Sequence, residues 1–239
     1  ALLLLCACEP KSEINPNFTT VFEKSNGTKT PTYREVIEYY SDLASYSASV
    51  KLMKMGETDS GQPLHLVLFN AEGDFDLKNT SNLKLLINNG IHPGESDGIG
   101  ATILLYRDLV EGKISLDKGI TIAAIPIYNI GGALNRNTST RANQNGPLEY
   151  GFRGNSRNFD LNRDFIKADS KNARSFARLF QFVNPDLFID NHVSNGADYQ
   201  YSITHLFSQS DKFGGASGDF IKNTWQPYLE KEMKKLEIL

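Results

Sequence analysis

The stretch from Leu83 to Glu95 constrains the fold more than any other part of this sequence. It opens with a short apolar run and reaches Asn89-Gly90, a pattern typical of an interior strand that stops where the backbone needs freedom. His92 and Glu95 follow directly. Sites in open α/β sheets lie at the carboxyl ends of the strands, so we predict a strand here with two chemically useful side chains at its end.

The chain contains four histidines, and one of the others shares the setting of His92. His192 follows a second short apolar run, Asp186–Asp190, and precedes the turn-forming Ser194-Asn195-Gly196, so it is also predicted at the carboxyl end of a strand. Two adjacent parallel strands would bring His92, Glu95 and His192 to one point. The other two histidines lie inside strand-like segments and are interpreted as structural, namely His65 and His205.

These three side chains form a ligand set that suits zinc. Catalytic zinc sites take three protein ligands from imidazole and carboxylate and leave a fourth position for water. We therefore expect one zinc ion per chain, bound by His92, Glu95 and His192. Zinc in such a site would polarise a carbonyl group and lower the pKa of its bound water, which is chemistry for hydrolysis without a covalent intermediate.

A further motif, Asp160-Leu161-Asn162-Arg163, lies between the two histidine-bearing segments. With the His-x-x-Glu before it and a ligand histidine on a later strand, the sequence resembles the zinc carboxypeptidase family, in which the same three pieces occur in the same order. The resemblance extends from about Thr30 to about Thr204. It implies a zinc-dependent hydrolase that removes the C-terminal residue from a peptide.

The resemblance also implies roles for residues outside the ligand set. Asp160 takes the position of the acid that fixes the tautomer of the first ligand histidine. Asn162 and Arg163 match a pair that holds the terminal carboxylate of the substrate, a task that suits the planar donors of a guanidinium. Counted from Asn129-Ile130-Gly131-Gly132, Arg141 best fits an upstream arginine that stabilises the oxyanion. Three further arginines of this long polar stretch stay open for that role: Arg136, Arg153 and Arg157.

Two features depart from the family pattern. Digestive members place an arginine directly before the metal-binding glutamate, whereas this chain has Gly94, as in other branches such as the cytosolic carboxypeptidases. The family's general base is a glutamate well downstream of the third ligand, and we expect it beyond residue 239. The late glutamates of this chain are interpreted as solvated charges: Glu230, Glu232 and Glu237.

Three functional hypotheses follow. The leading one is a zinc metallocarboxypeptidase that hydrolyses the C-terminal peptide bond of peptides. The second is a zinc amidase or deacylase of a small N-acyl amino acid, in which a free carboxylate is still clamped but the scissile bond is not in a peptide. The third is a metal-binding or carboxylate-binding module without turnover, which the unassigned base favours.

The whole chain has the size and composition of one large globular domain, with 239 residues of which 40% are hydrophobic and 22% charged. Hydrophobic spacing predicts helices and strands in alternation after an antiparallel edge hairpin. This order predicts an α/β fold with a mixed, mostly parallel central sheet and helices on both faces, which we expect to be C-terminally incomplete. The predicted elements are a helix from Tyr33 to Ala44, strands Val50–Met55, Leu64–Asn70 and Leu83–Asn88, a helix Ile99–Val110, a strand Ile120–Ile127, a helix Ser170–Phe182, a strand Asp186–Asp190 and a last helix Asp219–Leu236 that Pro227 kinks or divides.

Both cysteines lie in the first eight residues, which we interpret as the remnant of a signal peptide with a lipobox-like Leu5-Cys6-Ala7-Cys8. Cys8 is the expected lipid anchor. Residues 9–30 are expected to be a polar tether, and residues 31–239 the zinc carboxypeptidase-like domain. This organisation predicts an exported bacterial protein of the cell envelope, either periplasmic or at the cell surface.

The charge pattern bears on the partners of the protein. The formal net charge is −3, and no basic run is longer than Lys234-Lys235. Such a chain offers no footprint for nucleic acid, and the only membrane contact that we expect is through the lipid anchor. The expected partner is a peptide or a small substrate with a carboxylate. The sequence does not indicate an oligomeric state.

Overall fold

The structure, a computed structural model, describes residues 17–236. These residues form two compact units, one that ends at Val193 and one that begins at Ser194. The predicted lipid anchor, Cys8, lies outside the described residues. None of the helices in residues 17–236 combines the length and apolar character that crossing a bilayer requires.

Helices and strands alternate through the first unit, and the second unit is helical. The helices are α1 Val21–Lys24, α2 Tyr33–Tyr46, α3 Asp97–Val110, α4 Ile130–Leu134, α5 Lys171–Val183, α6 Ser210–Phe213, α7 Gly215–Phe220 and α8 Gln226–Lys235. The strands are β1 Val50–Glu57, β2 Pro63–Asn70, β3 Leu83–Asn88, β4 Ile120–Ile125, β5 Arg136–Asn137, β6 Tyr150–Gly151 and β7 Leu187–Asp190. The predicted elements are therefore present, with ends that differ by a few residues.

Five strands form the central sheet in the order β1-β2-β4-β3-β7. The β1/β2 and β2/β4 pairs are antiparallel, whereas β3 pairs in parallel with both β4 and β7. Four of the five strands thus point the same way, and β2 runs against them. This confirms the mixed, mostly parallel sheet, with the predicted hairpin at one edge. It also places the carboxyl ends of β3 and β7 side by side.

The two faces of the sheet are covered by different helices because side chains alternate along each strand. In β2, Val67 and Phe69 pack with α2 and α3 on one face. Leu66 and Leu68 lie on the other face with Phe176 of α5. A strand buried on both faces reads as a continuous apolar run, which is why the sequence of β2 shows so little alternation.

A capping box starts α2. The Thr32 hydroxyl accepts from the Glu35 N–H, and the Glu35 carboxylate accepts from the Thr32 N–H. Behind this helix, His65 is buried in β2 with its Nδ1 atom 3.3 Å from the Tyr33 hydroxyl. His65 is therefore part of the core.

The structure differs from the expected polar tether in residues 17–30. Phe18 is buried, and its carbonyl accepts from the Tyr39 hydroxyl of α2 at 3.0 Å. Glu23 of α1 accepts two hydrogen bonds from Arg107 Nη1 of α3, each 2.8 Å long. The buried Phe18 and the ion pair between Glu23 and Arg107 hold this polar segment on the first unit. The amino-acid composition of the segment does not indicate either contact.

In the second unit, the last helical stretch is interrupted near Pro227, as the sequence predicts. A five-residue π-helical turn, Ile221–Trp225, separates α7 from α8. A proline removes one backbone donor and clashes with the preceding turn, so a regular α-helix does not pass through it. Met233 is the buried residue of α8.

Candidate metal centre

The ends of β3 and β7 bring the predicted ligands together. Asn88, the last residue of β3, is in register with Asp190, the last residue of β7. His92 follows β3, and His192 follows β7. One ligand atom from each of His92, Glu95 and His192 lies within 4.8 Å of the others. The fold therefore places the three side chains as the sequence predicts.

Glu95 lies at the centre of this group and is only 3% exposed. Its Oε1 is 2.9 Å from His92 Nδ1, and its Oε2 is 3.0 Å from His192 Nδ1. The backbone N–H of Val193 also donates to Oε2. Burial alone would raise the pKa of Glu95, but the hydrogen bonds from His192 and His92 outweigh it and hold that pKa well below its usual value.

The second nitrogen of each histidine faces another carboxylate. His92 Nε2 is 3.1 Å from Asp160 Oδ1, and His192 Nε2 is 3.1 Å from Asp190 Oδ2. An ionised carboxylate only accepts, so Nε2 of each ring faces an acceptor in Asp160 or Asp190, while Nδ1 of each ring faces Glu95. The pKa of His192 is raised to about 10, mainly by its hydrogen bond to Asp190 and next by its hydrogen bond to Glu95.

Asp160 lies where the resemblance implies, and Asp190 is a residue that our sequence reasoning missed. The Asp-x-His spacing was the available signal, since residues two apart on a strand share a face. Burial opposes ionisation of Asp160, but hydrogen bonds from His92 and Arg153 lower its pKa. Two carboxylates thus hold the two imidazoles of the site.

The donor set fits a zinc ion. In a tetrahedral site with ligands about 2.0–2.2 Å from zinc, the ligand atoms lie roughly 3.3–3.6 Å apart. The Glu95 oxygens lie 2.9 and 3.0 Å from the Nδ1 atoms of His92 and His192, so these contacts need only small adjustments to reach that spacing. His92 is buried, whereas the His192 side chain is 34% exposed. The group is thus enclosed on the His92 side and reachable from the His192 side.

Two of the four candidate arginines reach this centre. Arg141 is 9% exposed and donates from Nη1 to Glu95 Oε1 at 3.1 Å. The Arg153 side chain is 40% exposed, donates to Asp160 Oδ2 from Nε and Nη2, and has its Nη1 4.0 Å from Glu95 Oε1. The other two lie elsewhere: Arg136 donates to the Thr30 and Pro31 carbonyls, and Arg157 stacks on Phe159.

Asn162 and Arg163 lie beside Asp160. A single 3-10 turn, Leu161–Arg163, starts at Asp160, whose Oδ1 accepts from the Asn162 N–H at 3.0 Å. The Arg163 side chain is exposed, and its Nη1 donates to the Asn162 carbonyl. The turn therefore places Asn162 and Arg163, the predicted carboxylate-binding pair, beside the Nε2 edge of His92. The Nδ1 edge of the same ring faces Glu95.

Comparison with known protein families identifies the architecture. The model of the Peptidase M14 family, described as zinc carboxypeptidase, matches residues 36–204, which is more than half of the chain. The chain belongs to the zinc carboxypeptidase family. This membership confirms the resemblance seen in the sequence, and it agrees with the zinc-compatible ligand group, because the family is zinc-dependent.

Solved structures, two of them named as carboxypeptidases, share the fold. The metallo-carboxypeptidase from Burkholderia cenocepacia has a TM-score of 0.50 at 18% identity, over 68% of this chain and 42% of that chain. Carboxypeptidase A from Helicoverpa armigera has a TM-score of 0.52 at 16% identity, over 80% of this chain and 56% of that one. Bovine thrombin-activatable fibrinolysis inhibitor has a TM-score of 0.54 at 13% identity, with coverages of 77% and 68%.

The chain spans about half the length of the first two of these structures. A search of curated proteins found no match. The family model therefore shows the family, and the solved structures show the fold. The predicted site residues that the structure describes belong to the first unit, while two of the late glutamates make helical contacts in the second: Glu230 accepts from Gln226, and Glu232 from Lys235.

Proposed function

We propose that this chain is a zinc metallocarboxypeptidase that hydrolyses the C-terminal peptide bond of peptides, with one zinc ion bound by His92, Glu95 and His192. The observation that carries the proposal is the convergence of both Nδ1 atoms on the Glu95 carboxylate, at 2.9 and 3.0 Å. Two imidazoles and one carboxylate that leave one side open are the ligand set of a catalytic zinc.

Bound zinc would polarise the scissile carbonyl and activate water for attack on it. A guanidinium is well suited to hold the negative charge that then develops on the carbonyl oxygen. Arg141 is the residue that the sequence favours for this task. The exposure of Arg153 and its position 4.0 Å from Glu95 support Arg153 as the stronger candidate, because Arg141 is enclosed behind the same carboxylate.

The substrate carboxylate is assigned to Asn162 and Arg163. Their turn adjoins Asp160, on the Nε2 edge of His92, whereas the metal would bind on the Nδ1 edge. A terminal carboxylate bound there by the exposed Arg163 would lie to one side of the metal, with the scissile bond between them. The planar pair of guanidinium donors matches a carboxylate in a way that an ammonium does not.

A cleft of about 950 Å³ on the Arg141 side would take the part of the substrate that precedes the scissile bond. The loop of residues 138–150 forms one wall, and Ser96 and Asp97 of the α3 start contribute to another. Ser96 is adjacent in sequence to the ligand Glu95, which brings one wall of this cleft close to the proposed metal site. A peptide longer than two residues would use this cleft.

The alternative substrate is a small N-acyl amino acid. Gly94 favours it, since digestive carboxypeptidases have an arginine at that position and this chain has no side chain there. The two substrates are distinguished by product: a peptidase releases the C-terminal amino acid from a peptide, whereas an amidase releases the acyl group from an N-acyl amino acid and leaves peptides intact.

The metal assignment is tested by zinc analysis of the purified full chain. We expect one equivalent in the wild type, a large loss in His192→Ala, and full retention in His205→Ala, which removes an exposed histidine from the second unit. Equal zinc in wild type and His192→Ala would overturn the ligand set. Zinc binding without hydrolysis of either substrate would favour a metal-binding module over an enzyme.

The cellular location is a separate proposal that rests on the sequence. We propose export to the bacterial cell envelope and a lipid anchor on Cys8, and Cys6 two residues earlier supplies a matched control. Expressed from its natural gene, Cys8→Ser should move the protein from the detergent phase to the aqueous phase, whereas Cys6→Ser should not. The same partition for both variants would contradict the anchor.

A further inference from the structure

A pair of side chains at the strand ends links the two histidine-bearing strands. Asn88 Nδ2 donates to Asp190 Oδ1 at 2.9 Å, and the other oxygen of Asp190 is 3.1 Å from His192 Nε2. Asn88 has no solvent exposure. We propose that Asp190 positions the metal ligand His192, and that Asn88 holds Asp190 for this task. The proposal rests on the zinc site of the proposed function.

Strand geometry produces this arrangement. Asp190 and His192 are two residues apart, so their side chains leave the chain on the same side. Asn88 and Asp190 are partners in the parallel β3/β7 register, which puts their side chains next to each other. The following residues repeat the link, since Asn191 Nδ2 donates to Asn89 Oδ1 at 2.8 Å. Two side-chain bonds therefore fix the strand ends from which the metal ligands extend.

The bond from His192 to Asp190 decides which imidazole nitrogen can bind a metal. A neutral imidazole carries a single N–H, and a carboxylate beside Nε2 keeps that proton there. A neutral His192 would then offer a metal the lone pair of Nδ1, the nitrogen that lies 3.0 Å from Glu95 Oε2. A carboxylate behind a ligand histidine also fixes the ring orientation and raises the basicity of the coordinating nitrogen.

Asp190 differs from the carboxylate behind the first ligand histidine. Asp160 also accepts two hydrogen bonds from Arg153, at 3.1 and 2.9 Å. In the part of the chain that the structure describes, the other side-chain partner of Asp190 is the neutral amide of Asn88. Among these residues, His192 is therefore the charged or titratable partner of Asp190. Removing the charge of Asp190 should affect His192 directly.

The test is zinc affinity, measured by competition with a chelator on the full chain. Asp190→Asn keeps the shape and removes the charge, so we expect roughly 10- to 100-fold weaker binding. Asn88→Ala should weaken binding in the same direction by less, because the carboxylate remains. The matched control is Asp186→Asn, the same change at the other end of β7, where the Asp186 carboxylate accepts from the Lys84 N–H and contacts no histidine.

A second readout follows the proton itself. In zinc-loaded wild type, the His192 Nε2 proton should be protected from exchange and visible by NMR, and in Asp190→Asn it should exchange quickly. Wild-type affinity in Asp190→Asn, or an equal loss in Asp186→Asn, would overturn the role of Asp190. Absence of zinc binding by the wild type would instead overturn the metal site, and this role with it. If Asp190→Asn does not fold, the zinc affinity of Asn88→Ala is the test, and wild-type affinity in that variant would overturn the role of Asp190.

Discussion

The side chain of Arg141 occupies the space beside Gly94. A Cβ built on Gly94 would lie 2.5 Å from Arg141 Cδ and 2.9 Å from the carbonyl oxygen of Gly151. The guanidinium continues past this point to Glu95. Where digestive family members have an arginine directly before the ligand glutamate, this chain has no side chain, and Arg141 approaches Glu95 from the neighbouring loop.

Gly94→Ala should therefore destabilise the protein. The contact with Gly151 involves backbone, which does not move aside as easily as the end of a side chain. Overpacking of this kind costs about 1–3 kcal/mol, so we expect a lower melting temperature and a weaker contact between Arg141 and Glu95.

Gly100→Ala is the matched control for this change. Gly100 lies in α3, and its added Cβ would meet nothing within 4 Å. Alanine in a helix interior stabilises by roughly 0.5–1 kcal/mol relative to glycine, so this variant should melt higher. If Gly94→Ala also melts as high as the wild type, Arg141 does not fill the space beside Gly94.

The candidate metal ligands could be predicted from the sequence because each follows a strand that is recognisable by its own apolar run. Nothing beyond local pattern was needed to place His92 and His192 at strand ends. Asp190 escaped prediction because its role depends on the β3/β7 register, which pairs it with Asn88 across more than a hundred residues. A lone aspartate at a strand end otherwise indicates only a turn.

The arginines could not be ranked from the sequence for a related reason. Residues 129–158 fold into α4 and the small β5/β6 ladder, so separation along the chain does not report distance from the ligands. Arg136 is turned towards the Thr30 carbonyl, although it lies close in sequence to Arg141. Only the fold shows that Arg141 and Arg153 flank Glu95.

Arg153 should matter more for turnover than Arg141. Removing one donor to an oxyanion typically lowers kcat by about 100- to 1,000-fold, and we expect this loss for Arg153→Gln with zinc content unchanged. Arg141→Gln should lower stability or zinc content first, because it removes the guanidinium that donates directly to the buried Glu95. The measurements are kcat and KM on a peptide, with zinc content for each variant. A larger kcat loss in Arg141→Gln at full zinc content would restore Arg141 as the oxyanion residue.

Arg163→Lys should weaken only substrates with a free terminal carboxylate. Lysine keeps the charge and loses the planar fork, so KM should rise for the free acid while zinc content stays the same. The amidated form of the same peptide is the control, because it lacks the carboxylate that Arg163 is proposed to bind. An equal effect on both substrates would show that Arg163 is structural and that the carboxylate is held elsewhere.

The ion pair between Glu23 and Arg107 makes the stability of the first unit depend on pH. Glu23 accepts hydrogen bonds from Arg107 and from the Thr20 N–H. These two bonds, of which the first has the larger effect, lower the pKa of Glu23 from 4.5 to about 2. Because the pKa of Glu23 is lower in the folded state, its ionised carboxylate stabilises the folded protein at pH values above the unfolded-state pKa. This contribution is lost as the pH falls from 4.5 towards 2. Because the Glu23 side chain is 37% exposed, solvent screening limits the contribution to less than about 1 kcal/mol.

Glu23→Gln should therefore lower the free energy of unfolding slightly at pH 7 and match the wild type near pH 2. The amide keeps an acceptor for the start of α1, so the change isolates the charge. Glu38→Gln removes a more exposed partner of Arg34 and should have a smaller effect. Denaturant unfolding of the three proteins between pH 2 and 7 measures the difference. If Glu23→Gln has wild-type stability at pH 7, α1 is not held to α3 by this pair, and residues 17–30 behave as the tether that their composition predicts.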